Sequence, residues 1–263
     1  FCTEKYYPFL SNDSRKYVVG DDYLPTWNVP SLKDFYNVQK LGMKGSFDLW
    51  LRKQNKNPDL IWEQVEESIR KVFYFNEDNI IKYSKPYSSF AKFFEMMRFD
   101  FIIDDNLKVY LMEANMSPNL SSAHFKQNRL LYEQVMFNLL SLIGVGYNFC
   151  SGNLSQEEEE MRCSYKDIAV FPEHCSTFCL ESADCQKVGC QLCLPCLDKN
   201  QFRILCKAFI EHNFKGSYKR ILPSPMDRST PTSSGNLNEL SPQNTLMSEW
   251  FRGKCLLDAS FCS

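Results

Sequence analysis

The sequence predicts an α+β protein in which helices pack on an antiparallel sheet, followed by a small cysteine-rich module and a largely disordered tail. Two aromatic and β-branched segments flank a polar turn at residues 104–106, which is typical of a β-hairpin. Of the 12 cysteines, 11 lie at or after Cys150, which indicates that the two parts of the chain fold under different constraints. We expect a domain at 1–149, an acidic linker at 150–165, a cysteine-rich module at 166–215 and a disordered tail at 216–263.

The composition excludes several classes of protein. With 263 residues, 44% hydrophobic residues, 21 Phe and 13 Tyr, the chain is neither collagen-like nor wholly disordered. A formal net charge of −2 provides no basic field for nucleic acid, so we expect no nucleic-acid partner. The most apolar stretch, 139–145, is far shorter than the roughly 20 residues of a membrane-spanning helix. We therefore expect no membrane segment in this chain.

The elements of the first domain follow from capping and periodicity. Residues 1–56 are aromatic-rich and interrupted by prolines, so we expect irregular structure there. A helix is predicted after Asn57, because Asn is a good N-cap and Pro58 and Asp59 suit the first turn. Its apolar stripe has helical spacing and comprises Ile61, Val65, Ile69 and Val72.

The next segments predict a hairpin and a second helix. Residues 93–103 and 107–114 have strand composition and are separated by Asp104, Asp105 and Asn106, which favour a turn. A polar loop broken by proline follows at 115–122. A helix is predicted over 130–142, with leucine and valine on one side.

The hairpin gathers side chains with oxygen ligands. The two-residue period of a strand places Glu113 and Asn115 on one face, and folding back at the turn brings Asp100 near the level of Glu113. Two carboxylates and one amide carbonyl, with no His or Cys among them, suit Mg²⁺ that also binds phosphate oxygens. Each carboxylate is flanked by apolar residues, and burying both without a cation would be costly. The alternative is that these acidic residues face solvent.

The same segment resembles a motif of a known family. Residues 98–104 read RFDFIID and residues 107–118 read LKVYLMEANMSP. Their order, the 13-residue step from Asp100 to Glu113 and the Glu-x-Asn ending resemble the C-terminal metal-binding motif of the tubulin–tyrosine ligase-like family. The resemblance covers roughly residues 1–146.

The resemblance implies the C-terminal lobe of an ATP-grasp fold. Members use ATP and Mg²⁺ to activate a carboxylate as an acyl-phosphate, and the amine of a free amino acid (tyrosine, glutamate or glycine) then attacks it. Tubulin tails are the usual acceptors, and another acidic protein is the alternative. By position, Asp100, Glu113 and Asn115 would be the Mg²⁺ ligands that hold the nucleotide. The family's nucleotide-binding lysines lie upstream of this chain, which therefore corresponds to the carboxyl-terminal half of a ligase.

Three basic residues are candidate contacts for an acidic acceptor or a phosphate: Arg98, Lys126 and Arg129. Each is equally interpreted as a solvated surface charge. No catalytic residue beyond the metal ligands is assigned.

Seven cysteines form a dense cluster, and we expect all of them to be structural: Cys175, Cys179, Cys185, Cys190, Cys193, Cys196 and Cys206. They are interpreted either as zinc ligands in a reducing compartment or as disulfides in an oxidising one. The spacing matches no single zinc signature, and disulfides are favoured. Disulfides would place the protein in the secretory pathway, whereas the family resemblance implies a cytoplasmic or cytoskeletal location.

The sequence is therefore compatible with two functions. The first is an ATP- and Mg²⁺-dependent ligase that adds an amino acid to a protein carboxylate. The second is an inactive ATP-grasp scaffold whose cysteine-rich module binds another protein.

Overall fold

A computed structural model describes most of the chain, namely residues 12–13, 16, 23–87, 93–145, 162–179, 185, 189–226 and 241–263. The chain divides into two compact units. The first comprises Phe1–Val65 with Phe101–Tyr110, and the second comprises Glu66–Asp100 with Leu111–Ser263.

The first unit contains helices that sequence periodicity did not predict. Helix α1 spans Lys33–Asn37 and α2 spans Met43–Lys53, so the prediction of irregular structure over 1–56 is wrong for these residues. Leu32 is almost fully buried with Val29 and Phe35 in a small apolar cluster. The two helices are short and follow prolines, and packing stabilises short helices more than propensity does.

Helix α3 (Asp59–Ser84) confirms the helix predicted after Asn57. The Asn57 side chain accepts a hydrogen bond from the Asp59 amide (3.0 Å), as expected of a residue that caps the first turn. Ile61 is fully buried against Leu51 and Val109. This contact fixes the start of α3 beside the second strand of the hairpin.

The predicted hairpin forms a two-stranded antiparallel sheet. Strand β1 spans Met97–Ile103 and β2 spans Val109–Met116. Asp104 closes the turn because its carboxylate accepts the amide hydrogens of Asn106 and Lys108, both at 2.9 Å. The sheet is therefore held by a turn whose residues the sequence identified.

A side chain of α3 supplements the hairpin's backbone hydrogen bonds. The Gln64 amide donates to the Leu107 carbonyl (2.9 Å) and accepts the N–H of Val109 (3.2 Å). These bonds satisfy two backbone groups at the beginning of β2. The hairpin's position therefore depends on α3 as well as on its own turn.

Helix α4 (Arg129–Leu142) confirms the helix predicted over 130–142 and follows a 3₁₀ turn at Lys126–Asn128. The Tyr218 hydroxyl donates to the carbonyl of Val135 (3.0 Å). Burial raises the pKa of the Tyr218 phenol. The segment that follows the cysteine-rich module is thus attached to α4.

The remaining elements build a helical region around the cysteines. Its helices are α5 (Tyr165–Ile168), α6 (Pro172–His174), α7 (Lys199–Phe214) and α8 (Pro242–Leu257). A π-helical turn at Cys175–Cys179 continues α6, and 3₁₀ turns lie at Leu194–Cys196 and Ala259–Cys262. No helix in the described ranges has the length and apolar character that crossing a membrane requires.

The prediction of a largely disordered tail over 216–263 is wrong for its final part. Trp250 of α8 is fully buried and donates its indole N–H to the carbonyl of Ile168 (2.9 Å). Phe251 and Phe261 complete the same core with residues of α7. The Ser- and Pro-rich composition ends before these aromatic residues, and their partners are distant in sequence. Residues 227–240 lie outside the described part of the chain.

The interpretation of the cysteine cluster as disulfides is confirmed for six of its seven members, so the alternative that these six are zinc ligands is wrong. The bonds are Cys175–Cys193, Cys179–Cys190 and Cys185–Cys196, and a further disulfide joins Cys255 to Cys262.

The structure does not place Cys206 in a disulfide, so the interpretation of the cluster as disulfides is wrong for this residue. It lies on the buried side of α7, with its sulfur 4.0 Å from the carbonyl oxygen of Cys163. Cys163 also remains a thiol, and its contact with Cys206 together with burial raises its pKa. The predicted acidic linker at 150–165 falls mainly on residues 150–161, which lie outside the described part of the chain.

Replacing Trp250 with Ala tests whether the end of the chain is part of the core. We expect the free energy of unfolding to fall by about 3–5 kcal/mol, because the substitution removes a fully buried ring. Leu257→Ala is the control on the same helix, since Leu257 is 54% exposed and should cost less than about 1 kcal/mol. Urea unfolding measures both free energies. A loss of less than about 1 kcal/mol for Trp250→Ala as well as for Leu257→Ala would contradict the packing of α8 in the core.

His212 should make stability depend on pH. Burial lowers its pKa to about 4, and the nearby Lys215 and Arg220 charges act in the same direction. The unfolded His titrates near pH 6.5 and binds more protons than the folded one, so stability is full above that pH and falls as the pH decreases towards 4.

His212→Phe should reduce this dependence, because Phe retains the stacking on Phe261, whose ring centroid lies 3.9 Å away, but does not titrate. Unfolding free energies measured between pH 7 and 4.5 provide the test. Equal slopes for the two proteins would show that His212 does not cause the loss.

Candidate functional site

The hairpin brings together the three side chains predicted as metal ligands. β1 carries Asp100, and β2 carries Glu113 and Asn115. The Asn115 amide nitrogen lies 3.0 Å from a Glu113 carboxylate oxygen and 3.5 Å from a carboxylate oxygen of Asp100. The sequence-based expectation that these residues share one face of the sheet therefore agrees with the geometry.

The donor chemistry of this group fits a hard divalent cation. Two carboxylates and an amide lie close together at the end of β2, and the Asn115 amide hydrogens offset part of the negative charge. Rotating the amide by 180° replaces its N–H groups with the carbonyl oxygen. All three side chains would then present oxygen atoms, which is the ligand type that Mg²⁺ prefers.

The two carboxylates are less buried than the sequence predicts. Glu113 is exposed, and the Asp100 side chain is 36% exposed. The expectation that both carboxylates are buried among apolar residues is therefore wrong. Flanking residues in a strand point to the opposite face, so apolar neighbours in sequence do not bury a charged side chain. The case for a cation thus depends on the convergence of the ligands rather than on a desolvation cost.

Arg98 is the cationic partner of Asp100. Its Nε atom lies 2.9 Å from one carboxylate oxygen and its Nη2 atom 3.2 Å from the other. This two-point hydrogen bond raises the pKa of the Arg98 guanidinium and fixes the orientation of the carboxylate. Sequence reasoning treated Arg98 only as a candidate acceptor or phosphate contact. Its spacing of two residues from Asp100 in a strand was the signal for this pairing.

The two other predicted basic residues lie near the start of α4. Arg129 forms an ion pair with Glu133 (2.7 Å), and Lys126 is exposed in the preceding 3₁₀ turn. No contact described for either residue reaches Asp100, Glu113 or Asn115. Tyr132 of α4 interacts electrostatically with Arg98, the partner of Asp100.

The loop after β2 is attached to the chain before β1. The Ser117 amide donates to the carbonyl of Met96 (3.2 Å) and approaches a carboxylate oxygen of Glu95 (3.4 Å). Ser117 has a φ of 48°, an uncommon conformation for a residue with a side chain. Sequence analysis missed this attachment, since Ser117 carries no signal for a left-handed backbone. The attachment limits the position of Asn115 at the end of the strand.

Comparisons with known proteins agree with the motif. The model of the tubulin–tyrosine ligase family matches residues 1–151. A probable tubulin polyglutamylase of Caenorhabditis elegans is 36% identical over 267 residues, which is 100% of this chain and 50% of that protein. No solved structure matches the chain.

Two mammalian proteins are more distant relatives. The tubulin monoglutamylases TTLL4 of human and mouse are each 25% identical over 253 residues, covering 85% of this chain and 20% of each relative. This chain thus spans half of the nematode relative and a smaller part of the mammalian ones. Because the family model matches more than half of the chain and the nematode relative aligns over all of it, the chain belongs to the tubulin–tyrosine ligase family.

Proposed function

We propose that the full-length protein containing this chain is an ATP- and Mg²⁺-dependent ligase that adds an amino acid to a carboxylate of tubulin tails. The observation that carries the proposal is the convergence of Asp100, Glu113 and Asn115 at the end of the hairpin. Family membership and the relatives named as tubulin glutamylases support the reaction class. Their names favour glutamate over tyrosine and glycine as the added amino acid.

The hairpin and its helices would form the C-terminal lobe of an ATP-grasp domain over residues 1–149. In this role the two carboxylates and the Asn115 amide would hold Mg²⁺ for the binding of ATP. When bound, the cation would neutralise the negative charge that develops as a phosphoryl group moves to the acceptor carboxylate to give an acyl-phosphate. Arg98 keeps Asp100 in a fixed orientation through its two hydrogen bonds.

We further propose that Lys126 and Arg129 attract the acidic acceptor. Lys126 is exposed, and the Arg129 side chain is 75% exposed even though it is paired with Glu133. Exposed cations accelerate the encounter with an acidic peptide more than they increase its affinity. Tubulin as the substrate would place the protein in the cytoplasm or on the cytoskeleton.

Glu113→Gln is the sharpest test of the proposed ligase. Gln retains the size of the side chain but removes the negative charge, so we expect turnover to fall about 100-fold and the Mg²⁺ concentration needed for half-maximal rate to rise. The measurement is incorporation of radiolabelled glutamate into tubulin by the full-length protein. Glu63→Gln is the matched control, since Glu63 is an exposed residue of α3.

Normal turnover and normal Mg²⁺ dependence in Glu113→Gln would overturn the proposed site. Absence of ligase activity and of ATP binding in the unaltered protein would instead favour the inactive scaffold with its protein-binding cysteine-rich module.

Arg98 is expected to act as a positioning residue. Arg98→Ala should raise the Mg²⁺ concentration for half-maximal rate roughly tenfold with a smaller effect on kcat, because Asp100 loses its fixed orientation. Arg98→Lys should restore part of the effect. Arg52→Ala is the control, since Arg52 is similarly exposed and also pairs with an aspartate, Asp59. A loss of kcat with unchanged Mg²⁺ dependence would argue against positioning.

A further inference from the structure

The segment that follows α7 is bonded to both α3 and α4. We call residues 216–219 the brace segment. The Tyr218 hydroxyl donates to the carbonyl of Val135 in α4 (3.0 Å). The Lys219 ammonium donates to a carboxylate oxygen of Glu66 in α3 (2.7 Å), and the Glu66 side chain is only 20% exposed. One short segment therefore joins two helices that are distant from it in sequence.

Gly216 allows the brace segment to approach α4 closely. It has a φ of +57°, and the Tyr218 N–H donates to the carbonyl of Lys215 (2.9 Å) across the turn that contains it. A Cβ atom added to Gly216 would overlap the Oδ1 atom of Asn138 in α4. The turn and the helix surface therefore fit together only because Gly216 has no side chain.

Helix α4 depends on such contacts because little of its surface is buried. All 14 residues of α4 are described, and none of them is fully buried. Its apolar residues Leu130 and Phe137 are 64% and 71% exposed. Packing of an apolar face supplies most of the stability of a helix in a protein. The specific bonds that α4 makes to other segments therefore contribute more to its position than they would for a helix buried in a core.

Both helices contact the strand that carries Asp100. Tyr132 of α4 interacts electrostatically with Arg98, which binds both carboxylate oxygens of Asp100. The ring of Phe73 in α3 lies 6.4 Å, centroid to centroid, from the ring of Phe99, the residue that precedes Asp100 in β1. Aromatic rings at this separation attract each other. A displacement of either helix would therefore act on β1 and on the orientation of Asp100.

We propose that Gly216, Tyr218 and Lys219 are positioning residues of the ligase. Through α3 and α4 they hold β1 in place, so the segment after the cysteine-rich module belongs to the support of the metal site. The inference rests on the proposed function in one respect, namely that the carboxylates of the hairpin bind Mg²⁺. If the brace segment only stabilised the fold, its loss would leave the Mg²⁺ dependence of the folded protein unchanged.

Gly216→Ala in the full-length protein tests the proposal. The added methyl group overlaps Asn138, so we expect the Mg²⁺ concentration for half-maximal ligation to rise about fivefold. Gly144→Ala is the matched control, because Gly144 also has a positive φ (+76°) but no described atom lies within 4 Å of the position its Cβ would take. This control should retain the normal Mg²⁺ dependence. The same Mg²⁺ dependence in both variants would overturn the proposal.

Asn138→Ala provides a rescue of Gly216→Ala. It removes the amide that the new methyl group meets and leaves the Cβ of residue 138, which lies 3.7 Å from the methyl position. We expect the double variant to recover most of the normal Mg²⁺ dependence. Without recovery, the effect of Gly216→Ala would come from backbone strain instead of lost contact with α4, and the proposal would fail.

Tyr218→Phe and Lys219→Ala test the two bonds separately. Each variant removes one bond to a helix, so the Mg²⁺ concentration for half-maximal ligation should rise about twofold in each. Lys207→Ala is the control for Lys219→Ala, because Lys207 is similarly exposed and pairs with Glu211 of its own helix. A lower melting temperature with unchanged Mg²⁺ dependence would show that these residues only stabilise the fold, which contradicts a positioning role.

Hydrogen–deuterium exchange gives a measurement that does not need ligase activity. Gly216→Ala should speed amide exchange in α4, β1 and β2 about tenfold, whereas Gly144→Ala should leave exchange in the strands unchanged. Unchanged exchange in the strands of Gly216→Ala would overturn the inference. Absence of turnover in the unaltered protein, with faster exchange in Gly216→Ala, would contradict the proposed function and still support the brace. The two failures are therefore distinguished.

Discussion

The pairing of β1 with β2 is the constraint on which the candidate site depends. Asp100 and Asn115 are separated by 15 positions in the sequence, and only the hairpin places their side chains 3.5 Å apart. The carboxylate of Asp104 holds the turn, and Gln64 of α3 binds the backbone at the beginning of β2. A site built on paired strands is positioned by many backbone hydrogen bonds, so its ligands are held more rigidly than ligands on a loop.

The negative charge of the site's carboxylates is partly compensated by hydrogen bonds from a guanidinium and an amide. Arg98 binds both oxygens of Asp100, and the Asn115 amide lies between the two acidic side chains. This arrangement leaves both carboxylates accessible to solvent rather than buried. The cysteine-rich region has the opposite character, because its sulfur atoms are buried and bonded to one another.

The end of the chain shows why local composition misled the prediction of disorder. Trp250, Phe251 and Phe261 pack with Ile168 and Leu205 in one core, so α8 and the cysteine-rich region form a common folded region. Their burial offsets the conformational entropy of ordering this segment, although the preceding residues are rich in Ser and Pro. Such long-range contacts have no periodic signal within the segment itself.

The sequence by itself determined the hairpin, the helices beginning at Asp59 and Arg129, and the set of three oxygen-bearing side chains that converge on the hairpin, because each follows from local periodicity, capping or a continuous motif. Tertiary structure decided the exposure of Glu113, the pairing of Arg98 with Asp100 and the buried thiol of Cys206. It also decided which cysteines pair and that α8 is ordered. These outcomes depend on which distant segments meet in space, and a linear pattern of residues does not encode that information locally.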